Sequence, residues 1–192
     1  GLLELGDGLG AGIVLVYQLV PVGRGKQIRK AALSRKDNER LTHIMARAQR
    51  SAQAVLEPVA GPQYWSYLLH KSGIRSGPLL GLAETVFHGC SAGRGFVYIR
   101  PDGEVLPCPF IEESCGNVRD TPFSTIWNSS PVLQDLRERE EILKGACGKC
   151  VYRSLCGGCR GRAWVSTGDY LAEDPSCFIT TDPEQKHPTT RR

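Results

Sequence analysis

Cys147-Gly-Lys-Cys150-Val-Tyr-Arg-Ser-Leu-Cys156-Gly-Gly-Cys159 sets four cysteines within 13 residues, as two Cys-x2-Cys pairs with five residues between them. Two thiolates three residues apart on a turn can reach one metal centre, because the intervening backbone amides point inward. Zinc modules also use paired Cys-x2-Cys, but their pairs usually stand ~15–20 residues apart to leave room for a knuckle and a helix. Four thiolates crowded this closely suit iron–sulfur ligation, where several cysteines wrap a bulky cluster.

Working outward, the chain has eight cysteines, all within Cys90–Cys177 and none in residues 1–89, so composition alone divides it near residue 88. An even count also fits disulfides, but the first residues, GLLELGDG, have neither a basic n-region nor a cleavage site. Disulfide scaffolds are usually short secreted chains, so metal ligation is favoured. A length of 192 residues allows one ordinary domain or two small ones, and 41% hydrophobic with 23% charged residues argues against global disorder. The net charge of +4 is too small to indicate a nucleic-acid partner. The apolar run from Ala11 to Val22 is broken by Gln18 and Pro21 and falls short of the ~20 residues of a membrane span. The expectation is a cytoplasmic protein with no membrane and no nucleic-acid partner.

Before the cysteines, Gly12-Ile-Val-Leu-Val-Tyr17 reads as a buried strand, apolar, β-branched and bounded by glycine. It runs through Leu19-Val20-Pro21-Val22 into a Gly23-Arg24-Gly25 loop. Ser34 can cap a helix, with Asp37 in the position of a weak capping box. Leu41, Ile44, Met45, Ala48, Ala52 and Val55 then recur at helical spacing until Pro58, which predicts a helix over 35–56. Residues 59–87 read as a connector with a short amphipathic piece around Tyr64–Leu69. Nine basic residues against Asp37 and Glu39 give Arg24–Arg50 a local charge of +7, a solvated helix face or a surface for an anionic partner.

After residue 88, Phe96–Arg100 and Glu104–Cys108 flank Pro101-Asp102-Gly103, a hairpin signal: proline presets φ and glycine accepts a positive one. Thr121-Pro122 and Ser130-Pro131 are two helix starts. The hairpin brings Cys108 back beside Cys90, and the tail 181–192 is polar and expected to be disordered.

Cys90-x12-Gly103-x4-Cys108, a gap, Cys147-x2-Cys150-x5-Cys156-x2-Cys159, a gap, then Cys177 resembles the seven-cysteine motif of the SPASM domain, the C-terminal extension of many radical S-adenosylmethionine (AdoMet) enzymes. A frequent form of that motif has three residues, where this chain has two, between Cys156 and Cys159. The resemblance implies two auxiliary [4Fe–4S] clusters. Cys90, Cys108 and Cys159 would serve the first, with Cys115 as its fourth ligand or as a free thiol; Cys147, Cys150, Cys156 and Cys177 would serve the second. The stretches His88–Gly95, Gly116–Arg119, Gly157–Ala163, Thr167–Tyr170 and Val20–Gly25 are similar to radical AdoMet proteins of the alternative haem and haem d1 pathways. Peptide maturases of the mycofactocin and pyrroloquinoline-quinone type are the runner-up.

A radical AdoMet enzyme also needs Cys-x3-Cys-x2-Cys, a spacing that no three cysteines here have. The resemblance therefore implies an α+β chain: residues 1–87 from the end of an α/β barrel plus a linker, and residues 88–180 as the SPASM domain. AdoMet and a third cluster would belong to the parent enzyme, cut here inside its barrel, so that catalytic residues are unknown. The implied role is electron transfer or substrate positioning during radical modification of a porphyrinoid. A peptide is the alternative substrate, and a ferredoxin or flavodoxin is the electron donor. Readings of another class are a non-catalytic iron–sulfur module and a zinc-binding module. Arg24 is the candidate facing substrate or AdoMet, Arg160 and Arg162 are candidates for balancing cluster charge, and His88 is a candidate cluster neighbour.

Overall fold

The computed structural model describes residues 1–87 and 89–179; His88, the expected tail 181–192 and His187 lie outside the described residues. The chain is a mixed α/β structure with two small sheets.

In the first, β1 (Ile13–Tyr17) pairs in parallel with β2 (Val55–Val59), in register from Ile13↔Val55 to Tyr17↔Val59. A helix α1 (Leu2–Gly8) precedes β1, and the crossover runs through a 3-10 segment (Gly23–Ala31) and α2 (Arg35–Ala48). The Ser34 hydroxyl caps α2 by accepting from Asp37 N at 3.2 Å, as the sequence predicts.

The expected continuation of that helix to Pro58 does not form. Gln49 turns the chain back: its Nε2 donates to the Ala54 carbonyl at 3.0 Å and its Oε1 accepts from Leu56 N at 2.7 Å. Asp7 Oδ1 accepts from Gln53 N and Ala54 N on the other side of the bend. Val55–Val59 then forms the strand. Pro58 is tolerated because β2 pairs on one side only among the described residues. Helical spacing of Ala52 and Val55 misled because two side chains, neither of them apolar, decide the turn.

The stretch read as a connector holds two helices, α3 (Gln63–Lys71) and α4 (Pro78–Val86). Met45, Leu56 and Tyr64 form the core under β1 and β2, with Val14, Val16, Leu41 and Leu68 against them. Leu80 of α4 packs with Tyr152 and Cys156, so the connector also covers the cysteine-rich segment.

Beyond residue 88, β3 (Tyr98–Ile99) and β4 (Glu104–Leu106) make the expected hairpin, and β5 (Gly116–Asn117) adds a third antiparallel strand. Gly103 explains its place in the motif: its φ is +91°, and a β-carbon there would collide with the Asn117 side chain on β5 and lie 2.9 Å from Arg119 Cγ. The two proline starts open α5 (Phe123–Ser129) and α6 (Pro131–Arg137), and α6 buries Leu133 and Leu136. Three more helices follow: α7 (Arg139–Ile142), α8 (Gly145–Lys149) and α9 (Arg160–Thr167).

The two parts meet through a buried polar seam. Arg162 Nη2 donates to Gln18 Oε1 at 2.9 Å and to the Ala60 carbonyl; Gln63 Nε2 donates to Asp174 at 2.6 Å; Asn38 Nδ2 donates to the Ser176 carbonyl at 2.9 Å. Among the described residues no helix is long and apolar enough to cross a membrane.

Candidate metal centre

The thiols fall into two groups because of how short backbone segments are stitched together. Gly89 N donates to the Leu155 carbonyl at 2.8 Å and Cys90 N to the Cys156 carbonyl at 3.1 Å, so the chain entering the hairpin lies against the end of the second Cys-x2-Cys lead-in. Only glycine fits at 89, where a β-carbon would lie 2.6 Å from the Leu155 carbonyl oxygen and closer still to that of Cys156. β4 returns Cys108 to the same place. Cys90, Cys108 and Cys159 consequently line one cavity of about 460 Å³, together with Tyr17, Glu57, Trp65, Phe96 and Phe110. Tyr17 ends β1 and Glu57 lies on β2, so the cavity joins the first sheet to this trio of cysteines.

Electrostatics draws the same partition. Burial pushes the Cys108 thiol up to about 12, with Cys90 adding to the effect. Burial and then Cys90 also push Cys159 up to about 12, against Arg162 beside it. In the second group, burial followed by Cys177 raises Cys156, and burial raises Cys177 to about 12 with Cys147, Asp174 and Cys150 adding to it. Cys147 is raised by burial and opposed by Arg160. The four thiols Cys147, Cys150, Cys156 and Cys177 thus act on one another.

Cys115 does not line the cavity, and burial pushes its thiol up to about 11, against a hydrogen bond with Ser130 and with Glu113 and Glu104 adding to the rise. Of the eight predicted ligands, Cys90, Cys108 and Cys159 share the cavity, and Cys147, Cys150, Cys156 and Cys177 influence one another electrostatically.

Several sulfurs already receive donors. Phe110 N reaches Cys108 Sγ, Tyr152 N reaches Cys150 Sγ, Gly158 N reaches Cys156 Sγ and Asp174 N reaches Cys147 Sγ, each at 3.4 Å. Arg160 Nη2 stands 3.6 Å from Cys147 Sγ. Donors aimed at sulfur favour the thiolate form and are a principal means of tuning an iron–sulfur site. Among the described residues no three His, Cys, Asp or Glu side chains close on a point as the ligands of a single ion would. The donors in both groups are thiols alone, which suits an iron–sulfur cluster and a four-cysteine zinc site alike.

Other sequence candidates find different places. Arg160 is fully buried, donating to the Tyr170 and Ala172 carbonyls at 2.8 and 2.6 Å as well as facing Cys147. Arg162 pairs with Asp174 at 3.2 Å. Arg24 is exposed on the 3-10 segment and is not among the residues lining the cavity. Two buried residues near the cysteines drew no role in the sequence. Asp174 Oδ2 accepts from Cys159 N at 2.8 Å and so holds a cavity cysteine in place, and Arg139, within the charged stretch 137–141, is 1% exposed.

Residues 90–151 match an iron–sulfur cluster-binding domain family, SPASM. This segment is a SPASM domain. The wider chain is 38% identical over 178 residues to an AdoMet-dependent heme synthase of Methanosarcina barkeri, an alignment covering 91% of this chain and 50% of that protein. It is 34% identical over 192 residues to a pre-heme d1 synthase of Dinoroseobacter shibae, covering 93% of this chain and 48% of that one. A PqqA peptide cyclase of Gluconobacter oxydans is 29% identical over 177 residues, covering 90% and 45%. The chain spans about half the length of these curated relatives. The SPASM match takes in Cys90, Cys108, Cys115, Cys147 and Cys150, while Cys156, Cys159 and Cys177 follow it.

Proposed function

We propose that this chain is the auxiliary-cluster portion of a radical AdoMet enzyme that modifies a porphyrinoid, and that it holds two [4Fe–4S] clusters. The observation that carries the proposal is the partition of the thiols. Cys90, Cys108 and Cys159 would hold one cluster at the cavity, and Cys147, Cys150, Cys156 and Cys177 the other. Cys159 stands three residues after Cys156 yet would serve the opposite site, which would brace the two against each other. When bound, such clusters supply reversible one-electron chemistry over a wide span of potentials.

The chain's own residues supply position and environment. Trp65, stacked on Phe87 at 4.1 Å between centroids, stands with Phe96 and Phe110 around the cavity and keeps water from its thiols. Glu57 is raised above the ordinary carboxyl range by burial, against a hydrogen bond from Trp65. The parallel β1–β2 pair, with its helical crossover and an uncovered apolar face of Ile13, Leu15 and Tyr17, supports the reading of residues 1–87 as the end of an α/β barrel. AdoMet, the cluster that cleaves it, and a ferredoxin- or flavodoxin-like donor would act on the parent enzyme in the cytoplasm. Similarity to heme-forming relatives over nine-tenths of the chain favours a porphyrinoid, and similarity to the peptide cyclase keeps a peptide as the second reading.

Iron, sulfide and zinc content after anaerobic preparation tests the proposal. About eight iron and eight sulfide per chain are expected from two four-iron clusters. About two zinc with no sulfide would overturn it.

A further inference from the structure

Arg139 is fully buried at the start of α7, and among the described residues no carboxylate pairs with it. Its Nη1 donates to the Cys90 carbonyl at 2.6 Å, and its Nε has no hydrogen-bond partner. The guanidinium lies against the backbone of Gly157, where a β-carbon would come within 2.6 Å of Nε. Gly157 belongs to the Cys156-Gly-Gly-Cys159 turn, which gives one thiol to each group. Burial disfavours the charged guanidinium, and Arg94 and Arg160 add to that, whereas Cys90 of the cavity trio and Cys156 of the second group, once ionised, would favour it. Arg94 has its own partner in Glu140 at 3.4 Å.

A buried guanidinium without an anion costs several kcal/mol, so an otherwise idle one is poor packing. The other two buried arginines among the described residues are accounted for differently. Arg162 is paired with Asp174, and Arg160 is held by two carbonyls and faces Cys147 of the second group.

We infer that Arg139 is a positioning residue shared by both cysteine groups: its guanidinium compensates the negative charge of an iron–sulfur site on either side and holds both reduction potentials up. The inference rests on the two-cluster reading above. It names a residue outside the cysteine motif through which both sites respond to a single charge. Removing a cation beside a cluster disfavours the added electron, and low local dielectric makes the effect larger than it would be in water.

The test is a redox titration of the anaerobically iron-loaded protein with chemical mediators, followed by EPR, for wild type, R139Q, R139K and R160Q. R139Q is expected to weaken electron uptake at both sites by tenfold or more, at ~59 mV per tenfold for a one-electron couple. R139K keeps the charge and is expected to stay within about threefold of wild type at both sites. R160Q is expected to move one site only. Unmoved potentials in R139Q at full iron and sulfide content would overturn the inference, as would a shift at a single site. Should R139Q fail to take up iron, R139K decides, because a tenfold loss with its charge intact would overturn the assignment to charge. A wild-type protein without iron and sulfide would instead sink the two-cluster reading, and this inference with it.

Discussion

Asp174 is where the two halves of the chain and one cavity cysteine depend on a single carboxylate. Its Oδ2 accepts from Gln63 Nε2 at 2.6 Å and from Cys159 N at 2.8 Å, and its Oδ1 accepts from Arg162 Nη1 at 3.2 Å and from Ser176 N at 3.0 Å. Its side chain is 0% exposed, and that of Arg162 is 10% exposed. Asp174→Ala strands a buried guanidinium, which costs ~3–5 kcal/mol when one partner of such a pair is removed. It also leaves Gln63 Nε2 and the Cys159 amide unsatisfied at ~1–3 kcal/mol each, though these contributions overlap. A net loss of about 4 kcal/mol is a large share of the ~5–15 kcal/mol that holds a typical domain together. With a urea m-value of about 2 kcal/mol/M, the unfolding midpoint followed by tryptophan fluorescence falls by about 2 M. Asp174→Asn is nearly isosteric, yet both oxygens already face donors, so its amide group must point N–H at N–H. It is expected to lose at least half as much. The double variant D174A/R162M removes the stranded charge and should recover part of the loss. A midpoint shift below about 0.5 M for D174A, or an asparagine variant as stable as wild type, would refute the reasoning.

C115S is expected to retain nearly all of the iron, because Cys115 does not line the cavity of the trio, whereas C159S loses that of the cavity site; metal analysis of the two variants decides. Gly89→Ala forces a β-carbon into the backbone of residues 155 and 156, at a cost of ~1–3 kcal/mol for overpacking, and is expected to reduce cluster incorporation by displacing Cys90. In the metal-free protein, burial raises the Cys108, Cys159 and Cys177 thiols to about 12 from an ordinary 9.0. Groups raised on folding add stability that is complete below the unfolded value and is lost as pH climbs through the folded one. The metal-free protein should therefore lose stability from about pH 9 upward. A thermal midpoint that rises over that range would contradict the burial of these thiols.

What could be read from the sequence was whatever depends on spacing or on local turn chemistry. The Gly103 hairpin and the Ser34 cap are local rules, and the structure carries both, whereas the division of the cysteines between two clusters is implied by the resemblance to the SPASM motif. The helix predicted to Pro58 failed because Gln49 and Asp7 bend the chain, and neither side chain announces its target. The polar seam was invisible for a related reason. Gln18 and Arg162 are 144 positions apart, and Gln63 and Asp174 are 111 apart. Arg139 was hidden most completely. Its neighbours Glu138, Glu140 and Glu141 make a solvated run, and only the fold turns one member of that run inward.

That inward turn bears on why the domain needs an occupant at all. Among the described residues the buried charge is unbalanced, with Arg139, Arg160 and Arg162 against Asp174. The thiols cannot redress it in their protonated form, and burial holds most of them in that form. Loading with iron and sulfide would require those protons to leave and would set anionic sites beside Arg139 and Arg160, so the same step that removes the thiol protons supplies the missing counter-charge. Metal binding is then coupled to folding through the arginines as well as through the metal–sulfur bonds. On this argument, replacing Arg139 and Arg160 by neutral residues should stabilise the metal-free chain while weakening its hold on iron. Those opposite signs would separate a charge-compensation role from a purely structural one.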